Sequence, residues 1–340
     1  MSDGSQMYFV YYFQIITVLF ISSPLSIASF FIFVTASTAE EFRLELPLNC
    51  ENTNACFIQN FFDHQIGLGA KDFECGPKTY DTHKGTDFAI FPDGFGYKNS
   101  EVLAAASGQV VAIRNSVEDG EFIFRDKKNT VGIECGNGVV ISHADGWQTQ
   151  YCHLQDGSID LVKGQQVLAG QVIGLIGLSG KTQFPHLHFS VRKDGNYIDP
   201  FSKKHESLDC DKENEHIWVK LPNLKSTGLL EIGFTDSVPE IRNLRFKRNI
   251  NKLTGDASEL VVYIYGFNTQ PLDNLRIKVL GPKDFTFERQ LSFKKFQAQS
   301  LSFIGVNLQT PLSSGLYSVN AYLLREKNLI DKRLHSIFVE

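Results

Sequence analysis

The stretch Phe184-Pro185-His186-Leu187-His188-Phe189-Ser190-Val191-Arg192 decides the fold. Its β-branched and aromatic residues predict a β-strand. Side chains alternate between the two faces of a strand, so His186 and His188 share one face while Leu187 and Phe189 point to the other. Two imidazoles side by side suit a divalent metal, most often zinc. A metal site here needs further ligands from elsewhere in the chain.

His83 and Asp87 form a second polar cluster. Their spacing fits one turn of a helix, but Gly85 and the apolar run Phe88-Ala89-Ile90-Phe91 predict a loop that enters a strand, with Asp87 at its mouth. Together with His188 they make two histidines and one carboxylate. Three protein ligands with one open position are typical of catalytic rather than structural zinc. A surface ion pair is the alternative for this pair taken alone.

The third cluster surrounds His153. On a regular strand Thr149, Tyr151 and His153 share a face, so His153 is expected to look into a site lined by the neighbouring strand. The glycine-bearing segments 162–167 and 169–174 that follow predict tight hairpins leading to the strand with the two histidines. The remaining histidines have no metal-like spacing and are expected to be surface or structural residues: His64, His143, His205, His216 and His335.

Two familiar motifs are excluded. Residues 177–182 resemble the end of a phosphate-binding loop, but Leu175 stands where that loop requires glycine, and the flanking segments are β-like. No H-E-x-x-H sequence occurs, so the helix-borne zinc protease pattern and its glutamate base are absent. The net charge of -5 and the lack of a long Lys/Arg run exclude a nucleic-acid-binding footprint.

The chain begins with an apolar segment. Residues 8–34 are almost wholly apolar, which predicts either a secretory signal peptide or an N-terminal membrane anchor over residues 1–39. The small residues Ser37-Thr38-Ala39 allow cleavage after Ala39. Against cleavage, no Lys or Arg precedes Arg43, and the apolar run is long for a signal. In both cases the remainder of the chain is exported.

Six cysteines in an exported chain favour disulfides, and six allow 15 pairings. They are Cys50, Cys56, Cys75, Cys135, Cys152 and Cys210. No C-x-x-C pair occurs, which argues against a metal-thiolate site. Cys50 and Cys56 are close enough in sequence to pair.

Cys135 and Cys152 flank a predicted hairpin. If Asp145-Gly146 is its two-residue turn, Cys152 faces Val139 rather than Cys135. A disulfide between these two cysteines then requires the chain to bend back at Gly136-Asn137-Gly138.

Beyond Phe201 the pattern changes. The charged segment 209–215 suits a linker. Short apolar runs follow at nearly regular intervals and predict a small immunoglobulin-like β-sandwich: Leu229–Phe234, Ile241–Phe246, Leu260–Phe267, Leu275–Leu280, Leu301–Val306, Leu316–Leu323 and Leu334–Val339. This half carries no catalytic constellation. Its architecture suggests that it positions the catalytic domain or binds an envelope partner.

Taken in order, these motifs resemble the LytM/lysostaphin-type zinc endopeptidases over about a third of the chain, from near Thr79 to Phe201. The matching pieces are His83-x-x-x-Asp87, Tyr151-x-His153-Leu154, the glycine-bearing segments between Gly164 and Gly180, Pro185-His186-Leu187-His188-Phe189 and Asp199-Pro200. The resemblance implies that His83, Asp87 and His188 bind Zn²⁺ and that His153 and His186 are the catalytic histidines. It leaves open which of the two is the base.

The resemblance also implies a mostly β fold. An antiparallel LytM-type catalytic domain with zinc in a groove is expected over residues 40–208, followed by the sandwich over 209–340. The cysteine-bearing lead-in, residues 56–76, resembles an exported Gram-negative branch of the family. We therefore expect a protein of the periplasm or cell envelope, anchored in the inner membrane if residues 1–39 stay attached. Segments 91–97 and 119–129 are the expected groove walls.

The implied activity is hydrolysis of peptidoglycan peptide cross-links by a metal-activated water. In Gram-negative members the bond is D-alanyl-meso-diaminopimelate, and in lysostaphin-like members it lies in a glycine bridge. Two alternatives remain open: a degenerate LytM-like regulator of a cell-wall amidase, and a secreted zinc protease that acts on proteins.

Overall fold

The computed structural model describes residues 41–50, 56–91, 100–120, 131–203, 210, 215–246, 253–308 and 311–340. Residues 42–340 form one compact unit. The predicted signal or anchor segment, residues 1–39, lies outside the described residues. Within the described ranges, no helix combines the length and the apolar character needed to cross a membrane.

The described residues of the first half of the unit form ten strands: β1 Cys56–Asn60, β2 Thr86–Ile90, β3 Glu101–Leu103, β4 Gly108–Arg114, β5 Asn137–Ser142, β6 Trp147–Leu154, β7 Gln166–Val167, β8 Val172–Leu175, β9 His186–Lys193 and β10 Asn196–Ile198. The main sheet has the order β1-β2-β9-β6-β5-β4-β7, with β10 paired to β9. All of its pairs are antiparallel. Strands β3 and β8 form a separate pair.

The strand with the two histidines, β9, lies in the middle of this sheet between β2 and β6. In the ladders His188 is opposite Asp87 on β2 and opposite Cys152 on β6. The alternation predicted for β9 is confirmed, because Leu187 and Phe189 are fully buried in the core on the other face. The register therefore brings the three sequence motifs to one place.

The core beneath the sheet extends beyond the predicted catalytic segment. Ile217 and Trp218 are buried in the same cluster as Leu187 and Phe189. Burying a large apolar side chain contributes about 1.5–3 kcal/mol, so these two residues stabilise the first half. The boundary between 208 and 209 stays a prediction, and Cys210 is the one described residue between 204 and 214.

The segments after His153 make turns but not hairpins. Gly164 and Gly170 have φ of 93° and 76°, a backbone conformation open to glycine, so the predicted turns are present. However, β7 pairs with β4, and β8 pairs with β3. The hairpin prediction was wrong because each short strand finds its hydrogen-bonding partner far back in the sequence.

All six cysteines are oxidised, as Cys50–Cys56, Cys75–Cys210 and Cys135–Cys152. The third disulfide depends on the turn between β5 and β6. A three-residue 3-10 turn at Ala144–Gly146 replaces the two-residue turn, and Ser142 pairs with Gln148. This shifts the register by one, so Cys152 faces Gly138 rather than Val139.

In the second half, the residues outside the gaps at 247–252 and 309–310 form seven strands and one short helix: β11 Gly228–Thr235, α1 Ile241–Phe246, β12 Glu259–Thr269, β13 Asp273–Leu280, β14 Thr286–Ser292, β15 Gln297–Asn307, β16 Gly315–Arg325 and β17 Asn328–Val339. One sheet has the order β11-β12-β15 and the other β14-β13-β16-β17. Both sheets contribute to one apolar core, as in an immunoglobulin-like sandwich.

Two elements of the sandwich differ from the sequence prediction. Residues 241–246 form a short helix instead of a strand, and the Glu240 carbonyl oxygen accepts its first backbone hydrogen bonds. Strand β14 was not predicted, because it is an exposed edge strand with few apolar residues.

The sandwich packs on the same face of the main sheet that carries His188. On β2, Ala89 follows Asp87 by two residues and so shares its face, and Phe57 on β1 lies opposite Ala89. These residues belong to one buried cluster that joins both halves: Phe57, Ala89, Phe91, Leu230, Leu244, Tyr263, Tyr265 and Phe267. Asn268 of the sandwich also donates a hydrogen bond of 2.7 Å to the Gln59 carbonyl oxygen, which adds a polar contact between the two halves.

Candidate metal centre

Three side chains from the first two motifs converge on one point. The distance is 3.1 Å from His83 Nε2 to Asp87 Oδ1, 3.1 Å from His83 Nε2 to His188 Nδ1, and 2.9 Å from His188 Nδ1 to Asp87 Oδ1. Asp87 is the second residue of β2, at the mouth of the strand as the sequence predicted, and His83 lies in the preceding loop, three residues before the strand begins. His83, Asp87 and His188 are thus the three described residues that could hold a metal ion together.

The second nitrogen of each imidazole identifies its tautomer. His83 Nδ1 lies 2.6 Å from the Phe61 carbonyl oxygen, which can only accept, so Nδ1 carries the hydrogen. Ser190 Oγ donates to the Lys84 carbonyl oxygen at 2.7 Å and can therefore accept from His188 Nε2 at 3.1 Å. His83 Nε2 and His188 Nδ1 consequently present lone pairs to each other.

The second carboxylate oxygen of Asp87 is also fixed by a hydrogen bond. This Oδ2 accepts a hydrogen bond of 2.8 Å from Asn60 Nδ2. Burial alone would raise the pKa of Asp87, but the neighbouring imidazoles of His83 and His186 hold this pKa well below its usual range. Burial likewise opposes protonation of His83, yet the Asp87 carboxylate raises its pKa. Both shifts arise from the attraction between the Asp87 carboxylate and the surrounding imidazoles.

A divalent cation fits this donor set. Three lone-pair atoms at 2.9–3.1 Å repel one another unless a cation lies between them. A tetrahedral zinc with bonds of about 2.0–2.2 Å separates its ligand atoms by about 3.3 Å. Two imidazole nitrogens and a carboxylate oxygen are ligands that zinc accepts, and three of them leave one position for water or substrate.

His153 reaches this site by a route that the sequence did not indicate. Tyr151 is fully buried in the core and lies opposite Phe189, so the prediction that Tyr151 and His153 share a face is wrong. The ladder shifts beyond Cys152, and His153 is an extra residue with φ of 65°. Such a β-bulge reverses the alternation and turns the imidazole toward the site.

His153 and His186 stand side by side with their ring centroids 4.8 Å apart. His153 Nδ1 donates to the Ser179 carbonyl oxygen at 2.9 Å, and His186 Nδ1 donates to that of Phe184 at 2.9 Å. Both rings therefore keep Nε2 for the site, and His186 Nε2 lies 3.5 Å from Asp87 Oδ1. Burial, followed by the neighbouring His186 and His188, lowers the pKa of His153 well below its usual value.

The loop that delivers His83 is organised by two buried carboxylates. Asp63 accepts hydrogen bonds from the backbone amides of residues 65, 71 and 82. Asp72 accepts from those of residues 74, 76 and 78. The Cys75–Cys210 disulfide fastens the same loop to the chain beyond the catalytic segment. The ring of Tyr80 stacks on His83 at 4.3 Å.

Several residues that orient the site were not predicted from the sequence. Asn60, Ser179 and Ser190 orient site residues, but their roles depend on the register of β1 and on a loop conformation. Among the other histidines, His64 is fully buried against Asp199 at 2.8 Å, and His143 bonds to Ser107 and Thr149. His205 and most of the predicted groove walls, residues 92–97 and 121–129, lie outside the described residues.

Known proteins are similar to the segment that holds this site. Residues 81–200 match the model of Peptidase family M23. The chain is 33% identical over 117 residues to the DD-carboxypeptidase/endopeptidase Mpg of Neisseria meningitidis, covering 32% of this chain and 25% of that protein. It is 37% identical over 109 residues to the peptidoglycan DD-endopeptidase ShyA of Vibrio cholerae, covering 32% and 20%.

The name of a third relative indicates a different role. The chain is 32% identical over 99 residues to the murein hydrolase activator EnvC of Escherichia coli, covering 29% of this chain and 22% of that protein. The chain thus spans a quarter or less of the length of these three relatives. The segment that holds the converging ligand atoms, residues 81–200, is a domain of Peptidase family M23.

Proposed function

We propose that this protein is a zinc-dependent endopeptidase that hydrolyses peptide cross-links of peptidoglycan. The observation that carries the proposal is the completeness of the site. His83, Asp87 and His188 offer three converging lone pairs, and His153 and His186 add two oriented imidazoles beside them. Names of relatives such as the endopeptidase ShyA support the same reaction class.

The metal would be held by His83 Nε2, Asp87 Oδ1 and His188 Nδ1. Zinc bound there supplies a Lewis acid that polarises a carbonyl and lowers the pKa of water. The chain's own contribution is rigidity, since Phe61, Ser190 and Asn60 fix the three ligands through hydrogen bonds. Such supporting contacts commonly affect metal affinity 10–100-fold.

His153 is proposed as the general base. A base must be neutral, and burial keeps the His153 pKa low, so its Nε2 lone pair stays available near neutral pH. His186 is proposed as the group that faces the oxyanion. Its Nδ1 donates to the Phe184 carbonyl oxygen, which leaves Nε2 directed to the site, 3.5 Å from Asp87 Oδ1.

The substrate is proposed to be the D-alanyl-meso-diaminopimelate cross-link. The cysteine-bearing lead-in is ordered around the site, where Asn60 and the 63–82 loop support Asp87 and His83. The test incubates the purified exported chain with cross-linked dimer muropeptides and, separately, with pentaglycine. Conversion of dimers to monomers with pentaglycine intact is expected, and cleavage of pentaglycine alone would contradict the substrate.

The similarity to EnvC favours one second candidate, a regulator that stimulates a cell-wall amidase without cutting cross-links. The same dimers separate the two functions. An activator leaves purified dimers intact at any enzyme concentration but increases the release of stem peptides by an added amidase. A zinc protease that acts on proteins would leave dimers intact and would not stimulate the amidase.

The location and partners follow from this function. A peptidoglycan hydrolase works outside the cytoplasm, and three disulfides suit an oxidising compartment. We therefore propose the periplasm or cell envelope of a Gram-negative bacterium, with residues 1–39 as signal or inner-membrane anchor. Fractionation with an antibody to the C-terminal half tests this location. The sandwich is the proposed contact for an envelope partner.

A further inference from the structure

The sheet face that carries the metal ligands is closed at one end. Strand β9 starts at His186, which lies opposite Ala89 of β2. Ala89 and Phe91 are buried beneath the sandwich, and Phe184 packs against the same cluster. A bound peptide chain therefore meets the sandwich at the His186 end of the strand. In the opposite direction β9 continues to Lys193 and leads away from the sandwich.

Arg192 lies on the same face at that other end. Its neighbour Val191 is buried in the core, so alternation places Arg192 on the face of His188. Four residues of strand separate the Cα atoms of His188 and Arg192 by about 13 Å. This is the length of roughly four residues of an extended substrate.

The guanidinium of Arg192 is held in place by neutral groups. Nη2 donates to Gln150 Oε1 and, at 3.1 Å, to the Tyr197 hydroxyl, and the group lies 4.7 Å from the Tyr197 ring centroid. Gln150 in turn donates to both sulfurs of the Cys135–Cys152 disulfide, at 3.4 and 3.3 Å. Contacts therefore run from Arg192 through Gln150 to Cys152, which lies opposite His188 in the sheet.

In the part of the chain that the structure describes, this cation has no counter-ion. Among the described residues, no carboxylate lies within ion-pair distance of Arg192, and its Nε and Nη1 make no hydrogen bond. A half-buried guanidinium that is fixed, charged and partly unpaired is prepared for an anion, and carboxylate is the anion it matches best. Because the side chain is already ordered, binding costs little additional entropy.

We propose that Arg192 binds a free carboxylate of the substrate stem peptide and so acts as a specificity residue at the open end of the groove floor. The inference rests on the proposed function, because diaminopimelate-containing cross-links carry such carboxylates and a glycine bridge does not. A substrate without the carboxylate leaves the donors of Arg192 unpaired, which penalises its binding and its reaction.

The experiment compares two synthetic cross-linked dimers, one with free diaminopimelate carboxylates and one with those groups amidated. For the wild type, kcat/KM should be about tenfold to a hundredfold higher for the dimer with free carboxylates than for the amidated dimer. This ratio corresponds to the free energy of one charge-assisted hydrogen bond. Arg192→Gln should cleave both dimers with equal kcat/KM, close to that of the wild type on the amidated dimer. Arg192→Lys should keep part of the preference.

Lys193→Gln is the matched control, because it removes a positive charge from the next residue, whose amine pairs with Asp194 at 3.5 Å. It should keep the full preference. Zinc content and melting temperature verify that each variant is folded. If Arg192→Gln does not fold, the preference of Arg192→Lys is measured in its place. If a folded Arg192→Gln keeps the wild-type preference, the role of Arg192 is overturned and the proposed function still stands. Failure of the wild type on both dimers would overturn the proposed function as well.

Discussion

The backbone amide of His153 donates a hydrogen bond of 2.8 Å to the carbonyl oxygen of Cys135. The next residue back along β6, Cys152, forms the disulfide to Cys135. The bulge that turns His153 into the site is therefore held by a covalent bond and a hydrogen bond to the same residue. A non-glycine residue with positive φ persists only where its surroundings hold it.

Removing this disulfide should lower kcat while zinc stays bound. In Cys135→Ser/Cys152→Ser the bulge is free to relax, so His153 moves away, and the rate should fall toward the roughly 10²–10⁴-fold loss of a missing acid–base group. Cys50→Ser/Cys56→Ser is the control, because neither cysteine adjoins a site histidine. Equal rates for the two double variants at 20 °C would show that the bulge does not depend on the disulfide.

The proposed ligand histidines and the proposed catalytic histidines should respond differently to replacement by alanine. His188→Ala leaves two ligands and should lose both zinc and activity. His186→Ala keeps all three ligand atoms and should retain zinc while losing about 10²–10⁴ in rate. Elemental analysis of the dialysed proteins measures the difference. Full zinc in His188→Ala with none in His186→Ala would mean that the two roles are exchanged.

Phe184 should affect the rate through His186. Its ring stacks on His186 at 4.5 Å and packs against the cluster that joins the sandwich to the sheet. We expect Phe184→Ala to lower kcat with zinc and KM nearly unchanged, and Phe184→Tyr to restore most of the rate. Phe303→Ala, which changes an exposed phenylalanine of the sandwich, is the control. A Phe184→Ala protein with wild-type kcat would contradict this role.

Stability should decrease in mild acid partly through His143. Burial lowers the His143 pKa, so the folded protein binds its proton less readily than the unfolded chain does. As pH falls below the unfolded value of about 6.5, the unfolded state gains protons first, and this contribution to stability is lost. Melting temperatures at pH 5 and 8 should therefore differ less in His143→Gln than in the wild type. An equal difference in both proteins would exclude His143 as a contributor.

The site could be predicted from sequence where strand alternation is regular. The placement of His186 and His188 follows from β9 alone, and Asp87 follows from the start of β2. His153 could be assigned only by family resemblance, because the alternation rule places it on the wrong face. The bulge depends on a shifted register, which in turn depends on a three-residue turn at 144–146. Turn length is not specified by Asp145-Gly146 itself, since those residues suit both turns.

The contacts between distant segments were beyond the same reasoning. The sandwich was predicted from the spacing of its apolar runs, but a run such as Ile241–Phe246 is too short to distinguish strand from helix by its pattern. The Cys75–Cys210 pairing joins residues 135 positions apart and has no local signal. The hydrogen bond from Asn60 to Asp87 needs the register of β1 against β2 before it can be expected.

The shared apolar cluster has a practical consequence for producing and recombining this protein. A recombinant protein shortened to end before β11 would present Phe57, Ala89 and Phe91 to water beside the candidate metal centre. It would also lose Ile217 and Trp218 from its core if cut at the predicted boundary. Exposed apolar patches of this kind promote aggregation. The half that holds the candidate metal centre should therefore be expressed, or moved into a chimeric protein, only together with its sandwich.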